Sequence, residues 1–432
     1  MPGRLYVGID DTDSKRSMCT TYVAAMALRA LEEKGYRRAD YPWLVRLNPN
    51  CPYKTRGNAA LCIVLETDNQ DIQPIIDIVA SIVERYADLE SEGTDPGIVF
   101  VNEEQRSRLL DHYWRSLREI IDLEDAYNLC SELGIRYKLY KEGRGIVGAL
   151  AAAGADESTF KTYELIAYRT PDNWGKPRRV DEGSVIAMDI STRPFTFDNY
   201  DYEKESIRIT PNTPCPVLLG VRSIDDEHAL VGYRMLKIYE PVAFYEIFKT
   251  NQATDSHYVR AKIRDLAPLQ SAIITGRVAS RPRVIEGGHV FIDVEDDTGR
   301  ITLAAYEPTG ELRKAVLGLI PGDLIEVYGA VKTKPQGMTL NVEKLRIIEL
   351  VPKLVYEAPT CPSCGKKTKS MGREKGYRCP RCGLRMDEAK PIPRQETRKI
   401  SIGVYDVAVS ARRHLVTPSY LSSLLSTHDE HC

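Results

Sequence analysis

The sequence predicts a multidomain protein in which α/β and α+β units precede a small β-barrel and a cysteine-rich ribbon. Three observations indicate this fold class. Strand and helix signals alternate over residues 1–157, a β-β-β-α-β-β pattern fills residues 266–351, and two CxxC pairs lie between residues 361 and 382. At 432 residues the chain is long enough for about three or four domains.

The first unit, residues 1–157, has the pattern of an α/β domain. Amphipathic helices are predicted at 19–34 and 72–89, because their apolar residues recur at helical spacing. Strand signals lie at 5–10, 43–47 and 59–66.

The second unit, residues 158–265, is predicted to be a small α+β sandwich with a helix at 225–236. The segment 183–191 fits a helix or a strand. Strand signals lie at 163–169, 206–210, 217–222 and 239–248.

The third unit, residues 266–351, has the strand order of a five-stranded OB barrel with one helix at 311–319. Its strand signals lie at 272–278, 289–295, 301–306, 323–331 and 338–350. The fourth unit covers residues 352–432, and its tail beyond Ser419 is expected to be poorly ordered.

Composition excludes some classes of protein. The longest nearly apolar run, residues 146–155, is shorter than the roughly 20 residues of a membrane span. Asp10 and Asp11 interrupt the N-terminal apolar run, so no signal peptide is expected. Six of the ten cysteines are scattered singly, as thiols are in a reducing compartment. We therefore expect a cytoplasmic protein with no membrane partner.

The strongest motif is CPSCG, followed fourteen residues later by CPRCG. Four thiolates in two such pairs favour tetrahedral zinc, and a closed set leaves no position open for catalysis. The predicted ligands are Cys361, Cys364, Cys379 and Cys382. Residues 361–400 also hold twelve Lys or Arg against four acids. A basic zinc ribbon after an OB barrel indicates binding of single-stranded or loop nucleic acid, although basic charge alone is equally typical of a solvated surface.

The stretch GIDDTDSKRSMCTT, residues 8–21, places Asp10, Asp11 and Asp13 at the end of a strand and Thr20 and Thr21 at the start of a helix. Carboxylates that bind Mg²⁺ together with phosphate oxygens, and a helix N-terminus that attracts phosphate, would suit a nucleotide triphosphate. An Asx turn with a helix cap explains the same residues equally well. Because no Walker A sequence is present, any ATP site is of another type.

Two further segments contain candidate phosphate-binding groups. Lys54 and Arg56 lie in RLNPNCPYKTRGN, residues 46–58, which is equally typical of an ordinary surface loop. The run GRGIVG matches GxGxxG at the start of an apolar helix, where a tight turn with close helix packing is the alternative. Its glycines are Gly143, Gly145 and Gly148.

The loop YRTPDNWGKPRRVDEGSV, residues 168–185, places Asn173 and Trp174 among arginines. This composition suits base stacking and phosphate contact, whereas a packed tryptophan is the competing interpretation. The polar run NQATDSH, residues 251–257, has a chemistry that cannot be assigned from sequence.

These motifs, together with GGHVFIDV, AAYEPTGELRKAV and SARRHL, occur in the order found in one family. The sequence resembles the archaeal tRNA 2-agmatinylcytidine synthetase family over nearly its whole length; residues 419–432 are the exception. The resemblance implies a kinase-like domain, a ferredoxin-like domain, an OB fold and a zinc ribbon, which we assign to residues 1–157, 158–265, 266–351 and 352–432.

The resemblance also implies an activity. Members use ATP, converting it to AMP, to join agmatine to C2 of the wobble cytidine of the isoleucine tRNA with a CAU anticodon. This changes the codon read from AUG to AUA. Asp10, Asp11 and Asp13 would hold Mg²⁺ and phosphate, and Thr20 would accept a phosphoryl group. Asp181 is the candidate partner of the agmatine guanidinium. The expected cofactors are therefore ATP, Mg²⁺ and Zn²⁺, and the expected partners are tRNA and agmatine.

Two other classes of function stay open. One is a single-strand-binding protein that uses the OB fold and ribbon without ATP chemistry. The other is a small-molecule kinase fused to an RNA-binding module.

Overall fold

The computed structural model describes residues 3–67, 71–335 and 337–427. The strands of the first two units are β1 (Gly3–Asp10), β2 (Arg37–Arg38), β3 (Trp43–Arg46), β4 (Ala59–Thr67), β5 (Gly97–Asn102), β6 (Arg136–Leu139), β7 (Thr162–Arg169), β8 (Thr196–Phe197), β9 (Tyr200–Asp201), β10 (Ser206–Ile207), β11 (Val217–Ser223), β12 (Val242–Thr250) and β13 (Val259–Arg260). Their α-helices are α1 (Thr20–Glu33), α2 (Gln73–Tyr86), α3 (Glu103–Ser107), α4 (Leu110–Arg118), α5 (Leu123–Leu133), α6 (Ile146–Ala153), α7 (Glu182–Thr192) and α8 (Asp226–Met235).

The C-terminal part contains the remaining elements. They are β14 (Ser271–Val278), β15 (Arg283–Val284), β16 (Val290–Glu295), β17 (Arg300–Ala305), α9 (Glu311–Leu317), β18 (Leu324–Lys334), β19 (Gly337–Glu349), β20 (Lys353–Glu357), β21 (Lys369–Ser370), β22 (Tyr377–Arg378), β23 (Arg385–Met386), β24 (Ile392–Glu396), β25 (Gly403–Asp406) and α10 (Ser422–Thr427).

One ten-stranded sheet runs through both N-terminal units in the order β6-β5-β1-β4-β3-β12-β7-β11-β8, with β2 paired to β4. In the first unit both faces are covered. Leu5, Val7 and Ile9 of β1 pack in the core under α1 and α2, and Tyr6 points to the core under α4, α5 and α6. Burial on both faces explains why β1 is apolar without alternation.

The two units join where β3 pairs in parallel with β12, with Lys249 opposite Trp43 and Thr250 opposite Leu44. The second unit then continues with antiparallel strands, and α7 and α8 cover one face. The ambiguous segment 183–191 is therefore helical. The predicted strand at 206–210 shortens to β10, which pairs only with β9 among the described strands. The boundary at residue 157 stays a prediction, since the sheet is continuous across it.

The predicted β-β-β-α-β-β order of the third unit is confirmed. Its main strands run β14-β18-β19-β17-β16, and pairing of β14 with β16 closes the barrel, with Arg277 opposite Glu295. A bulge at Gly329 lets two strands approach closely, because a Cβ there would lie 2.3 Å from the Asn341 carbonyl oxygen.

The fourth unit does not end at the ribbon. β20 and β24 form a two-stranded stem, β21, β22 and β23 form the ribbon, and β25 then returns to pair with β19 of the barrel. The expectation of a poorly ordered tail is wrong for residues 419–427, because Leu421 and Leu425 are buried against Phe197 and Ile224. Residues 428–432 lie outside the described part of the chain. None of the described helices is long and apolar enough to cross a membrane.

Candidate active site

A cavity of about 380 Å³ lies between the two N-terminal units. The loop after β1, the segment 46–59, the start of α6, the loop 208–215 and His414 line it. It therefore brings together five parts of the chain that are far apart in sequence. The predicted residues on its wall are Asp10, Asp11, Asp13, Thr20, Thr21, Lys54, Arg56, Gly145 and Gly148.

The three aspartates are held by backbone amides and one arginine. Asp11 has φ of 60°, and its Oδ2 accepts a hydrogen bond from the Asp95 amide at 3.0 Å. Asp10 Oδ1 accepts from the Asp11 amide at 2.7 Å. Arg56 Nε donates to Asp13 Oδ2 at 2.8 Å. Ser14, whose Oγ accepts from two following amides, makes the local turn, so the aspartates are not needed for it.

The charge of this acid cluster is incompletely balanced. Burial raises the pKa of Asp10 well above its usual value and that of Asp11 to about 7, and it also raises the pKa of Asp13. Within the described residues only Asp13 has a cation, Arg56, at ion-pair distance. Three half-buried carboxylates with one arginine fit a hard divalent cation such as Mg²⁺.

Thr20 and Thr21 are the first two residues of α1 and are both buried at the cavity wall. The N-cap is Cys19, whose extended backbone has φ of −156°, and it makes no side-chain capping bond. Thr20 is therefore not the helix cap, and the capping alternative does not explain it. Its side chain hydrogen-bonds Asp13 instead. Burial raises the pKa of Asp13, and the hydrogen bond from Thr20 partly offsets that rise.

The two basic residues of the 46–58 loop reach the cavity differently. Arg56 connects the acid loop to the second unit, since it bonds Asp13, the Met18 carbonyl oxygen and Thr213 Oγ1, the last at 2.9 Å. Lys54 donates to the Pro49 carbonyl oxygen at 2.5 Å. Arg56 is thus fixed by protein groups.

The glycines of GRGIVG allow close packing at the start of α6. Gly143 has φ of 66° and does not line the cavity. A Cβ at Gly148 would lie 1.9 Å from Asp10 Oδ2, and one at Gly145 would lie 2.6 Å from the Asp10 carbonyl oxygen. This geometry gives the glycines a packing role, and cofactor binding by them stays a prediction.

The structure does not bring the 168–185 loop to the cavity. Trp174 packs edge-on against Tyr22, with ring centroids 5.4 Å apart, and donates to the Arg169 carbonyl oxygen. Asn173 bonds Thr170. Asp181 caps α7, accepting from the Ser184 amide at 2.7 Å. The packed-tryptophan interpretation therefore accounts for Trp174, and Asp181 is placed away from any ligand in this cavity.

Sequence reasoning did not indicate Glu164 or Arg222, and it did not place Arg46 or His414 at this cavity. Arg46, Glu164, Arg222 and His414 line it, and Glu164 lies 3.5 Å from an Arg46 nitrogen and 3.7 Å from Arg222 Nε. Arg46 belongs to the 46–58 segment and His414 to SARRHL, whereas Glu164 and Arg222 are isolated in the sequence. The sheet brings Arg46, Glu164 and Arg222 together, and residues 251–257 hold His414 beside them. No local motif indicates Glu164 or Arg222.

The four predicted ribbon cysteines have sulfur atoms within 4.8 Å of one another. Cys361 and Cys382 are 3.5 Å apart, and Cys364 and Cys379 are 3.4 Å apart. The amide of Cys382, donating to Cys379, lowers the pKa of the Cys379 thiol to about 6 and so favours the thiolate. Four soft ligands at this spacing fit a structural zinc ion.

Comparisons with known proteins cover almost the entire chain. Models described as TiaS TCKD domain and TiaS FLD domain match residues 6–141 and 143–257. An OB-fold nucleic acid binding domain matches 272–348, and a TiaS C-terminal zinc ribbon domain matches 358–400. The isoleucine-tRNA 2-agmatinylcytidine synthetase TiaS of Methanocaldococcus jannaschii is 44% identical, with 98% of this chain and 99% of that protein covered.

The chain belongs to the TiaS family. The TiaS of Archaeoglobus fulgidus is 41% identical over 96% of this chain and 97% of its own length. A crystal structure of TiaS in complex with its isoleucine tRNA and ATP matches with a TM-score of 0.88 at 39% identity, covering 96% of this chain and 97% of that one. A complex of TiaS with the same tRNA, AMPCPP and agmatine matches with a TM-score of 0.85 at 37% identity, covering 96% of both chains.

TiaS membership confirms the predicted family, the OB fold and the zinc ribbon. The acid loop and Thr20 fall in the segment matched by the TCKD model, and Glu164 falls in the segment matched by the FLD model. His414 lies outside all four matched segments.

Proposed function

We propose that this TiaS family member uses ATP to join agmatine to C2 of the wobble cytidine of the isoleucine tRNA with a CAU anticodon, forming 2-agmatinylcytidine. The observation that carries the proposal is the cavity, where half-buried carboxylates and buried threonines lie beside basic side chains in a chain 44% identical to a TiaS. Its tRNA substrate implies that the protein works in the cytoplasm.

The reaction needs activation because the C2 oxygen of cytosine is a poor leaving group. Transfer of a phosphoryl group from ATP to that oxygen lets the agmatine amine form the C2–N bond while the C2–O bond breaks and phosphate leaves. The base must leave its stack to enter the cavity.

The acid loop serves the ATP phosphates. Asp10, Asp11 and Asp13 would hold Mg²⁺, which neutralises developing charge on transferred phosphoryl groups. Arg56 holds Asp13 in place and keeps the 46–58 loop against the second unit. Thr20, buried at the wall, is the proposed acceptor of a second phosphoryl group, which water later releases as phosphate. The two transfers together convert ATP to AMP.

The OB barrel and ribbon provide the RNA-binding surface. The basic residues between 361 and 400 are suited to phosphate contacts, whereas the closed cysteine set positions RNA without chemistry.

The test is to incubate the protein with ATP, agmatine and total tRNA and to examine the nucleosides by mass spectrometry. We expect a cytidine whose mass rises only when ATP and agmatine are both present. RNA binding without ATP turnover would instead indicate the single-strand-binding class. Phosphorylated agmatine, or another phosphorylated small molecule, with unmodified tRNA would indicate the kinase class.

A further inference from the structure

The C-terminal strap, residues 403–421, crosses from the OB barrel to the cavity. It leaves the barrel at β25 and is then held by the polar run 251–257. The amide of Ala253 donates to the His414 carbonyl oxygen at 2.9 Å, and that of Asp255 donates to the Leu415 carbonyl oxygen at 2.8 Å. The amide of Thr417 in turn donates a hydrogen bond to Asp255 Oδ1 at 2.8 Å.

The polar run is shaped to receive the strap. Ala253 and Asp255 have φ of 54° and 55°, a conformation that costs energy in non-glycine residues and that turns their amides toward the strap. Asn251 in the same run holds strand β3, accepting from the Arg46 amide at 2.7 Å and donating to its carbonyl oxygen at 3.0 Å. Residues 251–257 thus hold Arg46 and the strap in fixed positions relative to each other.

Gln252 determines how His414 is oriented. Its Nε2 donates to Glu164 Oε2 at 2.6 Å, and a carboxylate can only accept. Its Oε1 must therefore be the atom 3.0 Å from His414 Nδ1, so Nδ1 carries the proton. Burial, with Arg46 and Arg222 nearby, lowers the pKa of His414 well below its usual value and keeps the ring neutral. Nε2 then has a free lone pair.

This lone pair lies at the cavity beside Gly57. A Cβ at Gly57 would be 3.3 Å from His414 Nε2 and 2.9 Å from an Arg46 side-chain nitrogen. None of the hydrogen bonds found among the described residues uses His414 Nε2, whereas Nδ1 bonds Gln252. A neutral acceptor between two arginines suits an uncharged N–H group and disfavours a cation.

We propose that His414 Nε2 is a fixed hydrogen-bond acceptor that positions an N–H group of a substrate, either the agmatine amine in its neutral form or the exocyclic amino group of the target cytosine. This inference rests on the proposed function. The strap is then part of the active centre, and residues 251–257 are its docking site.

The test compares His414→Leu with His414→Gln, whose side-chain amide oxygen can replace Nε2 as an acceptor. We expect His414→Leu to raise one KM about tenfold, the effect of losing one hydrogen bond, and His414→Gln to restore most of the loss. A rise confined to the agmatine KM identifies the amine, and a rise confined to the tRNA KM identifies the cytosine. His228→Leu, an imidazole loss outside the cavity, is the matched control.

Two results would overturn the inference. One is unchanged KM values in folded His414→Leu. The other is a joint loss of Tm, ATP binding and both affinities in His414→Leu and His414→Gln alike, which a purely structural role predicts. Absence of 2-agmatinylcytidine with the unaltered protein would contradict the proposed function itself, whereas product with unchanged KM values contradicts only the role of His414.

Discussion

The four cysteines of the ribbon come from one short stretch, Cys361 to Cys382, whereas the groups around the cavity range from Asp10 to His414. The ribbon is a local unit, because two CxxC pairs close together in the chain supply all four metal ligands. The cavity depends on a sheet that crosses two units and on a strap that returns from the barrel. A local site can be removed without disturbing its neighbours, while a composite site is sensitive to changes throughout the chain.

The largest expected effect is at the acid loop. Asp11→Asn keeps the size of the side chain but removes a charge from a preorganised cluster, so agmatine transfer should fall on the order of 10²-fold or more. Product formation at saturating substrates measures this. tRNA affinity should not change, and exposed Asp111→Asn in the same unit should retain full activity. Full activity of Asp11→Asn would remove this carboxylate from the mechanism.

Variants at Thr20 test whether turnover includes transfer of a phosphoryl group to the protein. Because Cys19 is the N-cap, Thr20→Asn should preserve α1 but cannot accept a phosphoryl group in the same way. We expect loss of agmatine transfer and of label from γ-labelled ATP, whereas Thr20→Ser keeps both. Complete agmatine transfer by Thr20→Asn would leave the loop as a metal site only.

A change in the ribbon should weaken tRNA binding and leave ATP binding intact, the reverse of the pattern expected at the acid loop. Cys379→Ser breaks the closed ligand set, so zinc content should fall and tRNA affinity should weaken by roughly tenfold, or about 1.4 kcal/mol. ATP binding at the cavity should survive, as measured by nucleotide titration. Loss of ATP binding with unchanged tRNA affinity would show that the two regions are not independent.

A smaller effect is expected on the salt dependence of tRNA affinity. If ribbon lysines contact phosphates, log affinity should fall with log salt by about 0.7 per single-strand contact. Replacing Lys366 and Lys367 together should flatten that slope, although Lys367 already pairs with Glu357 at 2.5 Å. Lys314→Ala, which removes a paired charge from α9, is the control. An unchanged slope would move the binding surface to the barrel.

The smallest effect is on stability. The folded pKa of Asp11, about 7, exceeds the value of about 3.9 for an unfolded aspartate. The folded state binds this proton more tightly, so the stabilisation present below pH 4 is lost as pH rises through 7. Without metal, Asp11→Asn should therefore raise Tm at pH 8 by roughly 2–4 °C and have less effect at pH 5. A lower Tm at pH 8 would contradict unfavourable burial of this charge.

The parts of the fold that could be predicted are those with local signals. The barrel strands could be predicted from the alternation of apolar and polar residues. The zinc ligands between Cys361 and Cys382 could be predicted from the spacing of the two CxxC pairs. The opening loop was also recognisable, because three acids after an apolar strand are unusual. The proximity of Arg46, Glu164 and His414 could not be predicted, because β3 reaches β7 only through β12 and the strap reaches both only through residues 251–257. Trp174 and Asp181 do not line the cavity, and their role in substrate binding stays a prediction. An aromatic among arginines has the same composition in a packed loop and in a base-binding one, so the position of Trp174 could not be predicted.

The strap also has a consequence for the order of events during synthesis. The acid loop leaves the ribosome well before His414 does. Nascent chains that have reached residue 400 already contain the strands of the sheet, the barrel strands β14 to β19 and the ribbon cysteines, but not the strap. On the inference above, they would hold RNA through the ribbon yet stay inactive. Modification would then begin only after the strap has been translated, so fragments released before that point would bind the tRNA without altering its codon assignment.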